Sequence, residues 1–482
     1  MESSPSTMLR ILVPKVPFIF KTALLHTLSI SETSSKWDLR TELTVKVLRQ
    51  MLGPHARPSS VTKQQRLTTK DPGVKGRVWA CKVKCGIPPE EDVRQLLFKA
   101  IEEMGSGGEA WERAEQRPLE AEWNGYRAHV DNQEPEPADL SEEEKYKKMM
   151  SETTTKVTVL YFHGGAMYLL DPATYRPVTS RVAKVTGGRV FSVRYRLSPQ
   201  NPFPAALLDA LTAYLTLLYP PADTPHDPIP ASEIVFGGDS AGGLLCASLL
   251  QLLLHFQRTG SSTVRFHGQD RRIPLPAGIA GTSPWLDVTR SLPSIEELAK
   301  YDYLPPPSHT QKLAYPACPA WPTDPPRADL YCEGSALLHP LVSPLAAKDW
   351  TNSPPLFFSL GEEMLRDENL VLAQRVAGQG GNVVWRIFEA MPHCFAMMLE
   401  YHPASHIHFE EYGTFCKDVV EGGGVETNGV MIKAKTLERE DVDVMKLTDI
   451  SDEMVDELMR IGKTKLARRV DGSGSVEVRP ML

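Results

Sequence analysis

Gly238-Asp239-Ser240-Ala241-Gly242 sets a serine among small residues. It directly follows the apolar run EIVFG (233–237) and directly precedes a long apolar stretch of helical character (241–257). A strand, a tight turn and a helix in that order lift a hydroxyl clear of a sheet. They also aim a helix N-terminus at it, which favours negative charge there. A serine hydroxyl is a poor nucleophile until a base takes its proton. Of the thirteen histidines, His393 lies in the loop EAMPHCF (389–395), straight after a strand-like run. That is where a base belongs in the chain order serine, acid, histidine. His26, His55 and His129 fall in the amino-terminal region, His255 in the helix after the serine, and His267 and His309 in polar or Pro-rich loops. His402, His406 and His408 follow in a later helical stretch and read as surface or packing groups.

The acid must lie between Ser240 and His393, after a strand. The run PLFFSL is followed by Glu362, Glu363, Asp367 and Glu368, and all four compete. Asp287 follows an earlier strand and reads as a loop-stabilising carboxylate. His163-Gly164-Gly165-Ala166 closes another apolar run, VTVLYF. Glycines there let backbone N–H groups turn towards one point, and with the N–H of Ala241 they make an oxyanion hole.

The elements that must carry these groups run from about residue 155 to 400. Strand-like runs at 156–162, 189–194, 233–237, 277–281, 355–360 and 382–388 are interspersed with helical ones at 205–219, 241–257 and 366–377. This alternation predicts an α/β fold with a mostly parallel central sheet and helices on both faces, its active groups at the carboxyl ends of the strands. Three regions follow: an amino-terminal helical appendage or cap (1–150), a catalytic domain (151–420) and a carboxyl-terminal extension (421–482). In the first, 37–52 and 90–104 read as helices and 134–148 as a solvated linker. In the last, VMIKAKTL reads as a short strand, 451–461 as a charged helix and the final ten residues as disordered. The Pro-rich insertions 220–230 and 304–326 read as surface loops, and the second can roof a pocket.

The 482 residues carry a formal charge of −7, which argues against nucleic acid as a partner. Seven cysteines, odd and sparse, point to a reducing compartment and a cytoplasmic location. Cys81 and Cys85 have no second pair or nearby histidine to make a zinc site. Gly105-Ser106-Gly107-Gly108 follows a helix and lacks a trailing Lys-Ser/Thr, so it reads as a plain loop. No metal, nucleotide or organic cofactor is called for. Residues 8–30 are apolar and basic, but Pro14, Lys15, Pro17, Lys21 and His26 interrupt them too often for a membrane span. Two readings stand: a helix packed on the body of the protein, or an interfacial helix in peripheral contact with a membrane.

HGGA (163–166), YRLSPQNPFPAALLDA (195–210), GDSAG (238–242), SPWLD (283–287), PPLFFSLGEEMLRDE (354–368) and MPHCF (391–395) occur in that order. Together they resemble the hormone-sensitive-lipase-like branch of the α/β-hydrolases, which includes arylacetamide deacetylases and many microbial and fungal esterases. The stretch from Lys21 to Gln50 also resembles fungal members of this branch. The resemblance implies a Ser-acid-His triad and helps choose the acid. The family's carboxylate opens an Asp-Pro-Leu-Arg-Asp-Glu segment, with which EMLRDE aligns. Glu363 then takes the acid's place, and Asp367, which matches the second Asp, is the alternative. Ala166 replaces the third glycine of the family's HGGG.

What this implies is a serine carboxylic ester hydrolase. Ser240 attacks, His393 moves the proton and Glu363 orients it, while the amides of Gly165, Ala166 and Ala241 hold the oxyanion and Gly164 shapes the turn. The expected substrate is a small ester of an apolar alcohol with a short-to-medium acyl group. A lipid or sterol acetyl ester, or an arylamide, cleaved at a membrane surface is the alternative. A non-catalytic receptor on the same fold is a third reading, disfavoured because all three triad residues are present. The sequence leaves the oligomeric state open.

Overall fold

The computed structural model describes residues 13–53, 58–310 and 315–471. Ten strands form one sheet: β1 (Val78–Cys85), β2 (Leu119–Tyr126), β3 (Thr158–Phe162), β4 (Arg189–Val193), β5 (Ile234–Asp239), β6 (Gly278–Thr282), β7 (Leu356–Gly361), β8 (Val383–Phe388), β9 (Asn428–Ile432) and β10 (Arg439–Asp441). Their spatial order is β1-β2-β4-β3-β5-β6-β7-β8-β9-β10. From β4 to β9 all neighbours are parallel, and antiparallel pairs flank them at both ends.

The parallel core strands read as continuous apolar runs because both their faces are covered. Every residue of β3, β5, β6, β7 and β8 is buried. Helices α7 (Ala205–Leu218), α8 (Ala241–Thr259) and α9 (Arg366–Gly378) pack on one face, and α6 (Pro172–Thr186) and α10 (Pro403–Glu421) on the other. The strand order reverses at β3, which lies between β4 and β5. At such a reversal the loops leaving the carboxyl ends diverge and open a crevice.

The amino-terminal region supplies α1 (Val16–Thr27), α2 (Leu39–Leu52), α3 (Val61–Thr68), α4 (Asp92–Met104) and α5 (Glu142–Ser151). It is not wholly helical, because β1 and β2 extend the sheet through β4. The alternating burial along the distal part of VWACKVKC is the strand signal there. The stretch read as a solvated linker runs into α5, which is opened by a reciprocal Ser141–Glu144 capping box and buried through Tyr146 and Met149. Helix α6 was masked in the sequence by Pro172 and by Pro177 in its interior, yet Asp171 caps it through the N–H of Ala173. In the carboxyl-terminal extension, β9 and β10 prolong the sheet, and α11 (Asp452–Asp471) outruns the helix expected there. The expected disorder of the final ten residues, and the start of the 8–30 stretch, lie outside the described residues.

Candidate active site

Ser240 stands between β5 and α8 with φ 51° and ψ −118°, a conformation a side chain adopts only under constraint. Three backbone bonds hold it there. Its N–H donates to Thr282 O (3.0 Å), and its carbonyl accepts from Trp285 (3.0 Å) and Leu244 (3.1 Å). The turn needs Gly242, because a Cβ there would meet Phe162 O at 1.8 Å.

His393 lies in the loop after β8. Its Nδ1 is 2.5 Å from Oε2 of Glu363, which lies just beyond β7, and both side chains are buried. Burial disfavours the imidazolium, but a hydrogen bond to the Cys394 sulfur and, above all, the charge of the Glu363 carboxylate act the other way. The imidazole's proton affinity is therefore held well above its ordinary value. Burial raises the pKa of Glu363, while His393 opposes the rise. The Ser283 hydroxyl accepts the N–H of Cys394 (3.1 Å) and so ties the His393 loop to the end of β6. The other carboxylates point elsewhere. Asp367 pairs with Arg366 and accepts the N–H of Ser294 (2.9 Å). Glu362 accepts from Ala390 (3.1 Å), and Glu368 from Leu286 (2.5 Å). Asp287 binds the backbone and hydroxyls of Thr289 and Ser291, the loop role expected of it.

Past β3, the backbone turns through positive φ at Gly165 (105°), Ala166 (50°) and Met167 (63°). The N–H groups of Gly165 and Ala166 take no acceptor among the described residues. Ala241 is the first residue of α8, so no helical carbonyl lies a turn before its N–H. Gly164 differs from its neighbours: its N–H is committed to Asp239 Oδ1 and to the Tyr175 hydroxyl, both at 3.2 Å. It shapes the loop and is no free donor. A Cβ at Gly164 would meet Asp239 Oδ2 at 2.4 Å.

Asp239 is thus the knot between the serine turn and the glycine loop. Besides Gly164, it accepts the hydroxyls of Tyr161 and Tyr175, each at 2.8 Å. Burial raises its pKa, while the two tyrosines and His393 oppose the rise. The tyrosines' own pKa values are pushed far up by burial and by Asp239, so both remain donors. His163 stacks on Tyr195 at 4.4 Å and bonds Gly164 O through Nδ1 (2.7 Å). Burial lowers its pKa to about 4, so it is a neutral brace. The sequence shows His163 only as the head of the glycine loop and carries no sign of its role as a brace. Asp239 was visible inside the serine pentapeptide, but nothing in the sequence tied Tyr161 and Tyr175 to it.

The site is roofed. Ala166 belongs to an apolar cluster with Val61 of α3, Tyr168, Tyr315 and Trp321, the last two from the 304–326 insertion. The hydroxyls of Tyr168 and Tyr315 meet at 2.9 Å. Tyr303 lies with its ring 6.3 Å from the His393 ring. Ser240 is only 7% exposed, so the surroundings strip most water from its hydroxyl.

A family model described as alpha/beta hydrolase fold matches residues 159–397. The chain is 32% identical over 247 residues to an acetyl-hydrolase of Streptomyces hygroscopicus, covering 51% of this chain and 69% of that protein. It is 28% identical to Lipase 2 of Moraxella sp. (strain TA144), covering 52% of this chain and 57% of the lipase. It is 26% identical to human arylacetamide deacetylase-like 3, covering 51% and 67%. Among solved structures, EstE5 soaked with p-nitrophenyl butyrate superposes with a TM-score of 0.54 at 19% identity, over 80% of this chain and 100% of EstE5. An esterase from the bacterial hormone-sensitive lipase family gives 0.51 at 20%, over 80% and 99%. At those identities the structures speak for the fold.

Proposed function

Since the chain belongs to the α/β-hydrolase fold family, we propose that it cleaves carboxylic esters through Ser240, His393 and Glu363, as the resemblance to the hormone-sensitive-lipase-like branch implies. The observation that supports this reading is the buried His393–Glu363 pair, whose loop reaches the turn of the constrained Ser240 through Cys394 and Asp239.

Ser240 Oγ attacks the ester carbonyl while His393 Nε2 takes its proton. Glu363 stabilises the imidazolium that forms. The N–H groups of Gly165, Ala166 and Ala241 receive the developing oxyanion, and loss of one such donor costs about 10²–10³ in turnover. His393 then protonates the departing alkoxide. Water, deprotonated by the same nitrogen, attacks the acyl-serine, and its proton returns to Ser240 as the acid leaves. Asp239 holds the turn and the loop in mutual register, so the donors stand ready before charge develops. The apolar roof over Ala166 suits short-to-medium acyl groups on an apolar alcohol.

Hydrolysis of p-nitrophenyl esters from acetate to palmitate tests the proposal. Turnover and fluorophosphonate labelling should both vanish in Ser240→Ala. An unlabelled wild type without turnover on any ester would return the protein to the non-catalytic reading.

A further inference from the structure

Helix α1 is built inside out. Its inner side carries Thr22, which is buried, and His26, whose Nδ1 lies 2.5 Å from the buried Glu42 of α2. Its outer side carries Val16, Phe20 and Leu24, one helical turn apart, with Val13 and Leu28 continuing the row; Phe20 is 69% exposed. A helix normally turns its apolar stripe inward. Of the exposed large apolar side chains among the described residues, nearly half lie between Val13 and Ile30.

The charge of the same segment identifies what would cover it. Between Ser3 and Ser31 the sequence holds Arg10, Lys15 and Lys21 and no carboxylate, in a chain whose overall charge is −7. In a two-fold dimer through this face the basic segment would meet its own copy, and like charges repel. An anionic lipid surface takes both the apolar row and the basic groups. No helix among the described residues is long and apolar enough to cross a membrane, so the contact is peripheral.

Helix α1 is also fastened to the site. It packs on α2, and the segment joining them anchors beside the catalytic loop. Trp37 Nε1 donates to Ala390 O (2.6 Å), and Lys36 pairs with Glu389 (2.6 Å). From α2, Arg49 Nε donates to the carbonyl of Asp302 (2.8 Å), next to Tyr303. We propose that Val13, Val16, Phe20, Leu24 and Leu28 seat the protein on an anionic membrane, and that its substrates are apolar esters dissolved in that bilayer. The substrate half of this rests on the ester-hydrolase reading above; the docking half does not.

The test is flotation of the full chain with vesicles of phosphatidylcholine, with and without phosphatidylserine, for wild type and Phe20→Glu/Leu24→Glu. Both side chains point to solvent, so the variant should fold. Its turnover of water-soluble p-nitrophenyl acetate should equal that of wild type. Wild type should float with the phosphatidylserine vesicles, less so in high salt, and the variant should lose at least about tenfold in the bound fraction. The variant should lose hydrolysis of a vesicle-embedded ester to the same degree. Failure of wild type to float with either vesicle, or equal flotation of the variant, overturns docking. So does a wild-type dimer that the substitutions dissociate without any vesicle binding. Flotation without turnover of either ester keeps docking and overturns the catalytic reading instead.

Discussion

Cys394 Sγ lies 3.5 Å from His393 Nε2, the nitrogen that takes the proton of Ser240 in the proposed mechanism. The same sulfur is 3.9 Å from Asp239 Oδ2, so it stands between the imidazole and the serine turn. Cys394 holds φ 47° to be there, and burial pushes its thiol up to about 12, so it stays protonated.

A thiol is a weak hydrogen-bonding group and leaves Nε2 available to the serine. A hydroxyl in its place would compete in earnest. Cys394→Ser should lower kcat/KM on p-nitrophenyl acetate about fivefold, the equivalent of one ordinary hydrogen bond. Cys394→Ala should stay near wild type. A serine variant as active as wild type would remove Cys394 from any influence on the base.

Glu363→Gln keeps the shape of the acid but removes its charge. Turnover should fall by about 10³–10⁴, as when a triad acid becomes an amide. The negative charge favours the imidazolium, so its loss lowers the proton affinity of His393. The acidic limb of the kcat/KM–pH profile should therefore move to lower pH. Asp367→Asn, whose carboxylate serves Arg366 and Ser294, should leave that limb in place. A limb that moves in Asp367→Asn and not in Glu363→Gln would reverse their roles.

Tyr175→Phe removes one of the two hydroxyl donors to Asp239 and a partner of Gly164 N–H. A hydrogen bond to a buried charged group contributes about 1.5–3 kcal/mol, and unfolding in urea should show a loss of that order. Because Asp239 also tethers the glycine loop, kcat should drop more than KM rises. An unchanged kcat in a destabilised protein would make the tyrosine merely structural.

Acid should unfold the protein early. Burial lowers the pKa of His163 and of His226 to about 4, and that of His408 to about 3. Against an ordinary value of 6.5, the unfolded chain binds these protons first. Their neutral-state stability is thus fully present above about pH 6.5 and is lost as the pH falls towards the folded values. At pH 5 each depressed histidine costs about 2 kcal/mol. His226 packs edge-on against Trp123 at 5.1 Å, so His226→Phe should keep the packing and flatten the fall of Tm between pH 7 and 5. A variant whose Tm falls as steeply as wild type would place the acid lability elsewhere.

Local pattern carried much of this in the sequence. Fully buried strands left apolar runs, and the pentapeptide around Ser240 named its own strand, turn and helix. What stayed illegible depends on contacts between distant segments. The choice of Glu363 over Asp367 needed a family resemblance, because four neighbouring carboxylates carry no record of which way each faces. In the structure Glu363 meets the imidazole and Asp367 meets Ser294. Strands β1 and β2 hid because only part of β1 alternates and nearly all of β2 is buried, although its sequence LEAEWNGY is half polar. That polarity is answered at a distance: Glu122 takes the Arg176 guanidinium of α6, and Asn124 the hydroxyl of Thr179.

The central sheet draws its flanks from both ends of the polypeptide. Strand β2 completes the hydrogen bonding of β4, and β9 that of β8, although neither lies within residues 151–420. Trimming the protein to those residues would bare two rows of unsatisfied amides and carbonyls, and bare rows invite other chains to pair with them. The catalytic machinery is therefore not separable from its termini: a shortened version should be recovered as aggregate, while losses confined to the distal half of α11 leave the sheet closed.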